Sequence, residues 1–418
     1  MSLLDAVRPP DRRPGSLANS LGKLVLFPLV RVHRRRLRGL TTVVGITGSV
    51  GKTTTKHLLA AALATHGPVA PDPSGGGRSV AKRLARSVLG ASRRHRYCVL
   101  EIQAWREHSI DQGVWFTEPE VGVVTTIGWD HLSSLGGPKG VAAEKGKLVA
   151  ALPPTGLAVL NADDERVLAL AARARCRVVT FGVAAGADVR AEDVAAAFPE
   201  LLSFTLVHRG SRHPVQTRLV GEHWTTAVLA ALATAVELGV PVERAVAAVE
   251  AVAPSPHRLS VRPTRAGVTY LQDDWKASAW TVPQALAALG SPPGRRIVVI
   301  GQLSDDLRKP KVLYPAVAAA ALEHADHVLL VGRWAHHGLR AGAGVSAVPG
   351  AAEAHAWLRA TTGPGDVVLV KTARNPVHLE RLPLAHDGEA VRCWLQSCEL
   401  RRWCEDCEFL AQERHEAS

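Results

Sequence analysis

The stretch 43–56, VVGITGSVGKTTTK, constrains this chain more than any other segment. A short β-rich run leads into glycines that recur every third residue, at Gly45, Gly48 and Gly51, and a helix-forming run follows. Glycines let backbone N–H groups approach an anion closely, and a new helix offers the positive end of its dipole. The stretch therefore predicts a strand, a phosphate-binding loop and a helix within an α/β domain.

The loop is a variant of the P-loop pattern, because Ile46 stands where the strict pattern has a glycine. The residues predicted to cradle nucleotide phosphates are Gly48, Ser49, Val50, Gly51, Lys52, Thr53 and Thr54. Lys52 can reach the terminal phosphates, and the hydroxyl of Thr53 can hold Mg²⁺. A glycine-rich turn without a ligand is the alternative, but the Lys-Thr pair and its flanking elements favour a nucleoside triphosphate.

Composition limits the class of protein. With 418 residues, 47% of them hydrophobic, the chain has material for two to three domain cores. The net charge of +12 comes largely from residues 1–40 and 78–96, which favours local solvated basic faces over a nucleic-acid-binding surface. We find no cleavable signal and no secreted disulfide framework, so we expect a cytoplasmic protein without a nucleic-acid partner.

Residues 1–40 form a basic extension that includes LANSLGKLVLFPLVRVHRRRLRGL. This segment is amphipathic and could touch a membrane surface. Packing on the neighbouring domain is the interpretation we favour. A loop is predicted over 71–79, PDPSGGGRS, whose glycines could approach a substrate.

Polar side chains follow several predicted strands of the first domain. Glu101 ends the strand YCVLEI, and Asp130 and His131 follow the strand run VGVVTTI. Lys145 lies in a predicted helix, and Asn161 in the polar tip of GLAVLNADD. Ligand groups in α/β folds gather at the carboxyl ends of parallel strands. The alternatives are a buried glutamate paired with an arginine, an ordinary loop histidine and a surface lysine.

A second α/β pattern begins after a helical run, 221–240, and a proline-rich linker, 253–259. Strands are predicted at 268–271, 296–300, 327–331 and 366–370, with helices at 281–289, 314–324 and 351–361. Strands that alternate with helices predict a doubly wound, Rossmann-like domain. We therefore expect a P-loop domain with a parallel-rich sheet over 41–256, a second α/β domain over 257–388 and a cysteine-rich tail over 389–418.

These landmarks together resemble the Mur ligase family, ATP-dependent amide-forming enzymes. The resemblance covers roughly 41–380, and its motifs occur in the family order: GITGSVGKTTTK, VLEI, TTIGWDHLSSLG, AAEKGKL, VLNADD, GEH with LAALA, PHR, DDWKAS and VLVKTAR. No short motif after the P-loop is decisive alone. The ordered set of motifs is decisive, because chance would have to reproduce many spacings at once.

The resemblance implies roles for individual residues. Lys52 would bind the β- and γ-phosphates of ATP, Thr53 and Glu101 a Mg²⁺ ion, and His131 a second metal ion. Lys145 falls where many members carry a carbamoylated lysine, an anionic metal ligand. The resemblance further implies that Arg258 reaches the ATP phosphates, that Asp274 lies near the ribose, that Lys276 lies near the reacting groups and that the segment around Asn161 contributes to the nucleotide site.

The implied reaction starts when a substrate carboxylate attacks the γ-phosphate and forms an acyl phosphate. An amine then displaces phosphate and leaves an amide or peptide bond. Catalysis of this kind depends mainly on positioning and electrostatic stabilisation.

The sequence also departs from the family. About 40 residues precede the P-loop, which is short for a UDP-binding N-terminal domain, so we expect a substrate without UDP: an amino acid, a peptide or a biosynthetic intermediate. Trp224 and Ala227 replace paired asparagines that usually contact adenine. The alternative to a ligase is a nucleotide-binding subunit or scaffold that docks a catalytic partner.

The tail is foreign to the family core. Cys393, Cys398, Cys404 and Cys407 offer four thiolates within fifteen residues, and the last two have the CxxC spacing of metal sites. Four-thiolate zinc is the preferred interpretation. An iron–sulfur cluster and unligated structural cysteines are the alternatives. A module that docks a protein partner would suit such a tail better than catalysis.

Overall fold

The computed structural model describes residues 17–72, 80–400 and 402–413. Most of the predicted glycine loop 71–79 lies outside these residues, as does the start of the N-terminal extension. Within the described residues the chain divides into two compact units. The first takes in the residues up to Glu192 with Thr205–Val215 and Thr225–Val252, and the second takes in Asp193–Phe204, Gln216–Trp224 and the residues from Ala253 onward. The domain bounds given above stay a prediction.

The first part of the chain alternates helices and strands as the sequence predicts. Its elements are α1 (Leu17–Arg36), β1 (Thr42–Thr47), α2 (Lys52–Ala64), α3 (Val80–Gly90), β2 (Tyr97–Glu101), α4 (Ser109–Thr117), β3 (Val121–Val124), α5 (Leu132–Leu135), α6 (Pro138–Ala150), β4 (Leu157–Asn161), α7 (Glu165–Leu168), β5 (Arg177–Gly182), β6 (Val189–Ala195), β7 (Ser203–His208), β8 (Ser211–Gln216), α8 (Thr225–Glu237) and α9 (Val242–Glu250). The strands form an eight-stranded sheet in the order β2-β1-β3-β4-β5-β6-β7-β8. Pairing from β2 through β6 is parallel, so the loops after β1, β2 and β3 share one edge of the sheet.

The rest of the chain builds a second sheet. Its elements are β9 (Ser260–Pro263), β10 (Thr269–Asp273), α10 (Val282–Ala287), β11 (Arg296–Ile300), α11 (Pro310–Leu322), β12 (His327–Val331), β13 (Val345–Val348), α12 (Ala351–Thr361), β14 (Val367–Lys371) and α13 (Arg381–His386). The strand order is β13-β12-β11-β14-β10-β9, and only the edge strand β9 pairs antiparallel within this described sheet. The strand predictions missed β9 and β13. Both are short edge strands with little continuous burial, so they carry weak apolar patterns.

Two apolar cores cover the two faces of the second sheet. Leu271, Val298 and Leu369 belong to one core, whereas their chain neighbours Tyr270 and Val299 belong to the other. Successive side chains of a strand point to opposite faces, so a strand buried on both sides reads as a continuous apolar run. The predicted doubly wound architecture is confirmed.

Helix α1 packs on the first unit. Phe27, Val30 and Leu37 belong to its core, and the ring of Phe27 stacks on that of Phe116 with centroids 5.2 Å apart. The structure thus supports packing on the neighbouring domain over contact with a membrane. No helix of the described residues combines the length and the apolar character that a bilayer crossing requires.

A buried arginine fixes α1 in place. Arg34 is 1% exposed and donates from Nε to Thr117 O at 2.8 Å and from Nη2 to Glu118 O at 2.9 Å. It also pairs with Glu120, which accepts from Val43 N–H at 2.8 Å. Because Val43 lies in β1, this network joins α1 to the strand that carries the predicted phosphate loop.

The Arg34→Ala variant should be destabilised by about 3–5 kcal/mol, because it leaves the Glu120 carboxylate and two carbonyls without a buried cation. Arg35→Ala is the matched control, since the Arg35 side chain is 51% exposed and its ion pair with Glu118 should contribute less than about 1 kcal/mol. Chemical unfolding of the two variants measures the difference. Equal losses of stability would show that the buried network does not anchor α1.

Candidate nucleotide and ligase site

The predicted phosphate loop connects β1 to α2. Gly48 has φ 152° and Gly51 has φ 83°, values that disfavour side chains. A Cβ on Gly48 would lie 1.9 Å from Thr125 Oγ1, so only glycine fits against the end of β3. The glycine spacing that made the loop recognisable therefore has a steric cause in the neighbouring strand.

The residues after β3 hold the loop in shape. Ser49 N–H donates to Thr126 O at 2.9 Å, and Val50 N–H donates to Thr126 Oγ1 at 3.2 Å. The hydroxyl of Thr125 donates to Val50 O at 2.6 Å, and Gly128 N–H donates to Ser49 Oγ at 2.9 Å. The sequence analysis did not single out Thr125 and Thr126, although the TT pair after an apolar strand was a visible signal.

Lys52 begins α2 with its ammonium folded onto the loop. Its Nζ donates to Gly48 O at 2.6 Å and to Ser49 O at 3.1 Å. Thr53 is half-buried in the first turn of α2, and Thr54 is buried. An anion at this helix N-terminus would meet the dipole and the Lys52 cation together. The loop residues predicted from sequence are therefore contiguous in space as well as in sequence.

Asn161 supports the phosphate loop indirectly, through a hydrogen bond to Thr125. It is buried at the end of β4, donates from Nδ2 to Thr125 O at 2.8 Å, and accepts from Asp163 N–H at 2.9 Å. These bonds occupy its amide on protein backbone. Its predicted contact with the nucleotide stays a prediction, and the structure gives Asn161 a role in positioning Thr125.

Glu101 lies at the end of β2, opposite Ile46 of β1 in the register. Its Oε1 lies 3.3 Å from Nζ of Lys56, a buried lysine that also pairs with Asp72, and its Oε2 accepts from Gln103 Nε2 at 3.4 Å. Glu101 is thus paired with a lysine, whereas the alternative drawn from the sequence was a buried glutamate paired with an arginine. A metal ion at Glu101 would compete with Lys56 for the carboxylate.

His131 and Lys145 occupy different environments. His131 has φ 52°, and its Nε2 lies 3.5 Å from Oδ1 of the buried Asp130. Lys145 lies in α6 and is 1% exposed, which rules out a plain surface lysine. A fully buried ammonium is costly, so Lys145 needs either a charge partner or a change in its chemical state. Their assignment as metal ligands stays a prediction.

Within the second unit, Asp274 is wholly buried. Its Oδ1 lies 2.8 Å from Nδ1 of His257, and its Oδ2 has no hydrogen-bond partner in the structure. Burial raises the pKa of the Asp274 carboxyl above its usual range, and the hydrogen bond with His257 opposes that rise. In this conformation the carboxylate does not reach the surface, so the predicted ribose contact would require this segment to open.

The two predicted cations of this unit lie near aromatic and acidic neighbours. The Arg258 guanidinium lies 5.9 Å from the ring centroid of Trp275, and the residues on either side of it, His257 and Leu259, both have positive φ. Lys276 Nζ lies 3.4 Å from Asp305 Oδ2 and is 43% exposed. Both side chains remain accessible, which an approach to ATP requires.

The tail packs on its own unit. The ring of Trp403 stacks on His257 with centroids 3.5 Å apart and lies 5.1 Å from the ring of Trp275. Trp275 is thus partly covered by the tail. Trp224, which replaces one of the family's paired asparagines, is buried and contacts His223.

The tail cysteines are all free thiols. Burial and the neighbouring Glu380 raise the pKa of the Cys404 thiol, which argues against a reactive thiolate nucleophile at this position.

The Gly48→Ala variant should bind ATP at least about tenfold more weakly than the wild type, because its Cβ would displace Thr125 and distort the loop. Gly186→Ala is a matched control, since a Cβ there meets nothing within 4 Å. Titration calorimetry with ATP, together with circular dichroism to check folding, measures the effect. Unchanged affinity in a folded Gly48→Ala protein would exclude this loop as the phosphate site.

Comparison with known proteins agrees with this geometry. Residues 46–235 match the Mur ligase middle domain, and residues 257–374 match the Mur ligase glutamate ligase domain. The UDP-N-acetylmuramoyl-tripeptide--D-alanyl-D-alanine ligase of Mycobacterium bovis is 33% identical over 410 residues, which cover 88% of this chain and 79% of that protein. The Escherichia coli ligase of the same name is 28% identical over 70% of this chain and 65% of its own length.

Solved structures show the same fold. MurF from Acinetobacter baumannii superposes with a TM-score of 0.78 at 23% identity, covering 88% of this chain and 80% of that one. MurF from Thermotoga maritima, crystallised with ADP, gives a TM-score of 0.76 at 22% identity, covering 91% and 86%. The phosphate loop, the two parallel-rich sheets and the extended similarity to the mycobacterial protein lead to one conclusion: the chain belongs to the Mur ligase family and is an ATP-dependent ligase that forms C–N bonds.

Proposed function

We propose that this ligase joins the free carboxylate of a UDP-N-acetylmuramoyl tripeptide to the amine of D-alanyl-D-alanine. These are the substrates in the names of the mycobacterial and E. coli relatives. The observation that supports ATP-dependent chemistry is the phosphate loop, in which two glycines with positive φ, Lys52 and a helix N-terminus lie together. The UDP-free substrate expected from sequence and the scaffold role kept as its alternative find no support among these relatives.

In the proposed mechanism the γ-phosphoryl group of ATP passes to the substrate carboxylate. Lys52 turns from the Gly48 and Ser49 carbonyls toward the phosphates, so that the loop N–H groups and the ammonium stabilise the transferring charge. Arg258 adds a second cation, as the family resemblance implies. The amine then attacks the carbonyl carbon of the acyl phosphate, the C–O bond to phosphate breaks, and inorganic phosphate leaves as the amide forms. Exclusion of water from the site protects the acyl phosphate from hydrolysis.

Magnesium suits the donors at the loop edge. Mg²⁺ prefers oxygen ligands and keeps several waters, and the hydroxyl of Thr53 and the carboxylate of Glu101 are such donors. We assign them to the ion, with His131 and a carbamoylated Lys145 at a second metal ion. When bound, the metal supplies Lewis-acid neutralisation of the phosphate oxygens. Lys56 would keep the Glu101 carboxylate ionised and oriented in the absence of the ion.

The remaining expectations stay predictions. A cytoplasmic location is consistent with substrates of this class. A protein partner at the tail has no support from the relatives, and the tail instead contacts His257 and Trp275 of its own chain.

Phosphate release from ATP tests the substrates. Release should require UDP-N-acetylmuramoyl tripeptide and D-alanyl-D-alanine together, and Lys52→Ala should lower the rate by roughly a hundredfold or more, because one charged donor to the transition state is lost. Lys311→Ala, at an exposed lysine of α11, should behave as wild type. Running the same tripeptide without UDP beside it separates the two substrate classes. Equal rates with the UDP-free peptide would restore the expectation made from sequence, and no release with either acid would refute the proposed substrates.

We expect the rate of ligation to depend on dissolved CO₂, because the proposed carbamate on Lys145 forms from CO₂. Activity should fall in CO₂-depleted buffer and return on addition of bicarbonate, whereas a Lys145→Ala variant should stay inactive under both conditions. A further check is the intact mass of rapidly handled protein, which should show the adduct in the wild type only. A wild-type rate that is indifferent to CO₂ would remove the carbamate from the mechanism.

A further inference from the structure

The tail is anchored to the second unit by a buried arginine. Arg381, at the start of α13, is 1% exposed and donates from Nη1 to Cys393 O at 2.6 Å and from Nη2 to Leu395 O at 2.8 Å. Its Nε also donates to His378 O at 3.0 Å. These bonds place the first cysteine of the tail beside a segment that follows β14, without any disulfide.

Four cysteines converge on one cavity. Cys393, Cys398, Cys404 and Cys407 all line it, together with His378, and its volume of about 20 Å³ suits a single water-sized occupant. Soft thiolates select zinc, copper(I) and iron–sulfur clusters over hard cations. The convergence gives the predicted cysteine set a common location that spacing alone could not establish.

His378 lines the cavity and contacts the buried carboxylate of Glu380. The Nε2 of His378 lies 3.0 Å from Cys398 O, which can only accept, so this nitrogen carries a proton. Its Nδ1 faces Glu380 Oε1 at 2.9 Å and Cys404 Sγ at 3.6 Å. Glu380 is 1% exposed, and its Oε2 has no partner in the structure. Arg374 Nε lies 3.6 Å from Glu380 Oε1, so this carboxylate already has a cationic neighbour while its Oε2 stays unsatisfied.

The spacing of the ligand atoms refines the zinc prediction. Within the described part of the chain, His378, Glu380 and Cys404 form the one group of three or more His, Cys, Asp or Glu residues whose ligand atoms all lie within 4.8 Å of one another. The four thiols therefore border the cavity without meeting at one point. A zinc ion with Zn–S bonds of about 2.3 Å would need the cysteine side chains to rotate inward. An iron–sulfur cluster is larger than one ion and would need this cavity to widen.

We propose that the tail cavity binds one thiophilic metal centre through the thiolates of Cys393, Cys398, Cys404 and Cys407, beside His378. The buried guanidinium of Arg381 lines the same cavity and offsets the negative charge of four thiolates. The site is separate from the phosphate loop and does not depend on the proposed substrates.

The metal centre would also fix Trp403, which lies between the second and third cysteines. Its ring covers His257, the hydrogen-bond partner of Asp274 and the neighbour of Arg258. Binding to the folded tail stabilises that arrangement by mass action. The metal centre thus acts as a structural clamp on the segment that carries the predicted ATP-binding arginine.

Metal analysis of untagged protein, expressed with zinc and iron in the medium, tests the proposal. We expect about one zinc, or one cluster with matching iron and acid-labile sulfide, per chain. Cys404→Ser and Cys407→Ser should each lose the metal, whereas Cys176→Ser, at a half-buried cysteine outside the tail, should keep it. Less than about a tenth of an equivalent in the wild type, or equal metal in all four proteins, overturns the proposal.

A second measurement covers variants that fail to fold. Wild-type protein stripped with a chelator and checked for its fold is titrated with Co²⁺ alone. Thiolate-to-cobalt absorption, a rise in the unfolding midpoint and a change in tryptophan fluorescence are expected, saturating at about one equivalent. A folded chain that shows no thiolate absorption with cobalt contradicts a four-thiolate site of either kind.

Discussion

The contact between Gly48 and Thr125 is the constraint on which the site depends. Parallel pairing of β1 with β3 sets Thr47 beside Val124, and the next residues of the two strands then meet as Gly48 and Thr125. Asn161, at the end of β4, holds the Thr125 carbonyl from the other side. Three adjacent strand ends thus fix the shape of one loop, so that the loop N–H groups are oriented before any phosphate arrives. Enzymes that transfer phosphoryl groups depend mainly on such preorganised positioning and on electrostatic stabilisation of the transition state.

The sequence predicted best those helices and strands whose burial in the fold is already marked by a local pattern of apolar and turn residues. Strands β11 and β12 and helix α12 begin and end where they were expected, because continuous apolar runs and flanking turn residues mark them. The phosphate loop was recognisable from its glycines, and at Gly48 a side chain would clash with Thr125. Thr125, Lys56 and Glu120 were not identified, since their importance arises from contacts with residues more than fifteen positions away. For Asp274 the motif predicts a ligand contact, which stays a prediction, whereas its burial against His257 is a property of the packed unit that the motif does not encode.

The tail shows which features of a predicted metal site come from sequence spacing and which come only from the structure. Four closely spaced cysteines predict a metal site, but neither the position of His378 beside their cavity nor the anchoring by Arg381 can be read from spacing. The same contacts connect the tail to the segment around Arg258 through Trp403 and His257. An addition outside the matched family domains, which end at residue 374, thereby contacts a segment that those domains contribute. Stability of the tail and accessibility of Asp274 are consequently linked properties of the second unit.

The central claim is that the terminal phosphoryl group of ATP passes to a substrate carboxylate. Labelling the carboxylate oxygens of the acid substrate with ¹⁸O and analysing the products of one round of ligation by mass spectrometry tests it most directly. The account predicts ADP and inorganic phosphate that carries one ¹⁸O atom from the acid, because the acyl phosphate retains that oxygen on phosphorus when the amine attacks. Unlabelled phosphate, or label recovered in AMP, would contradict it.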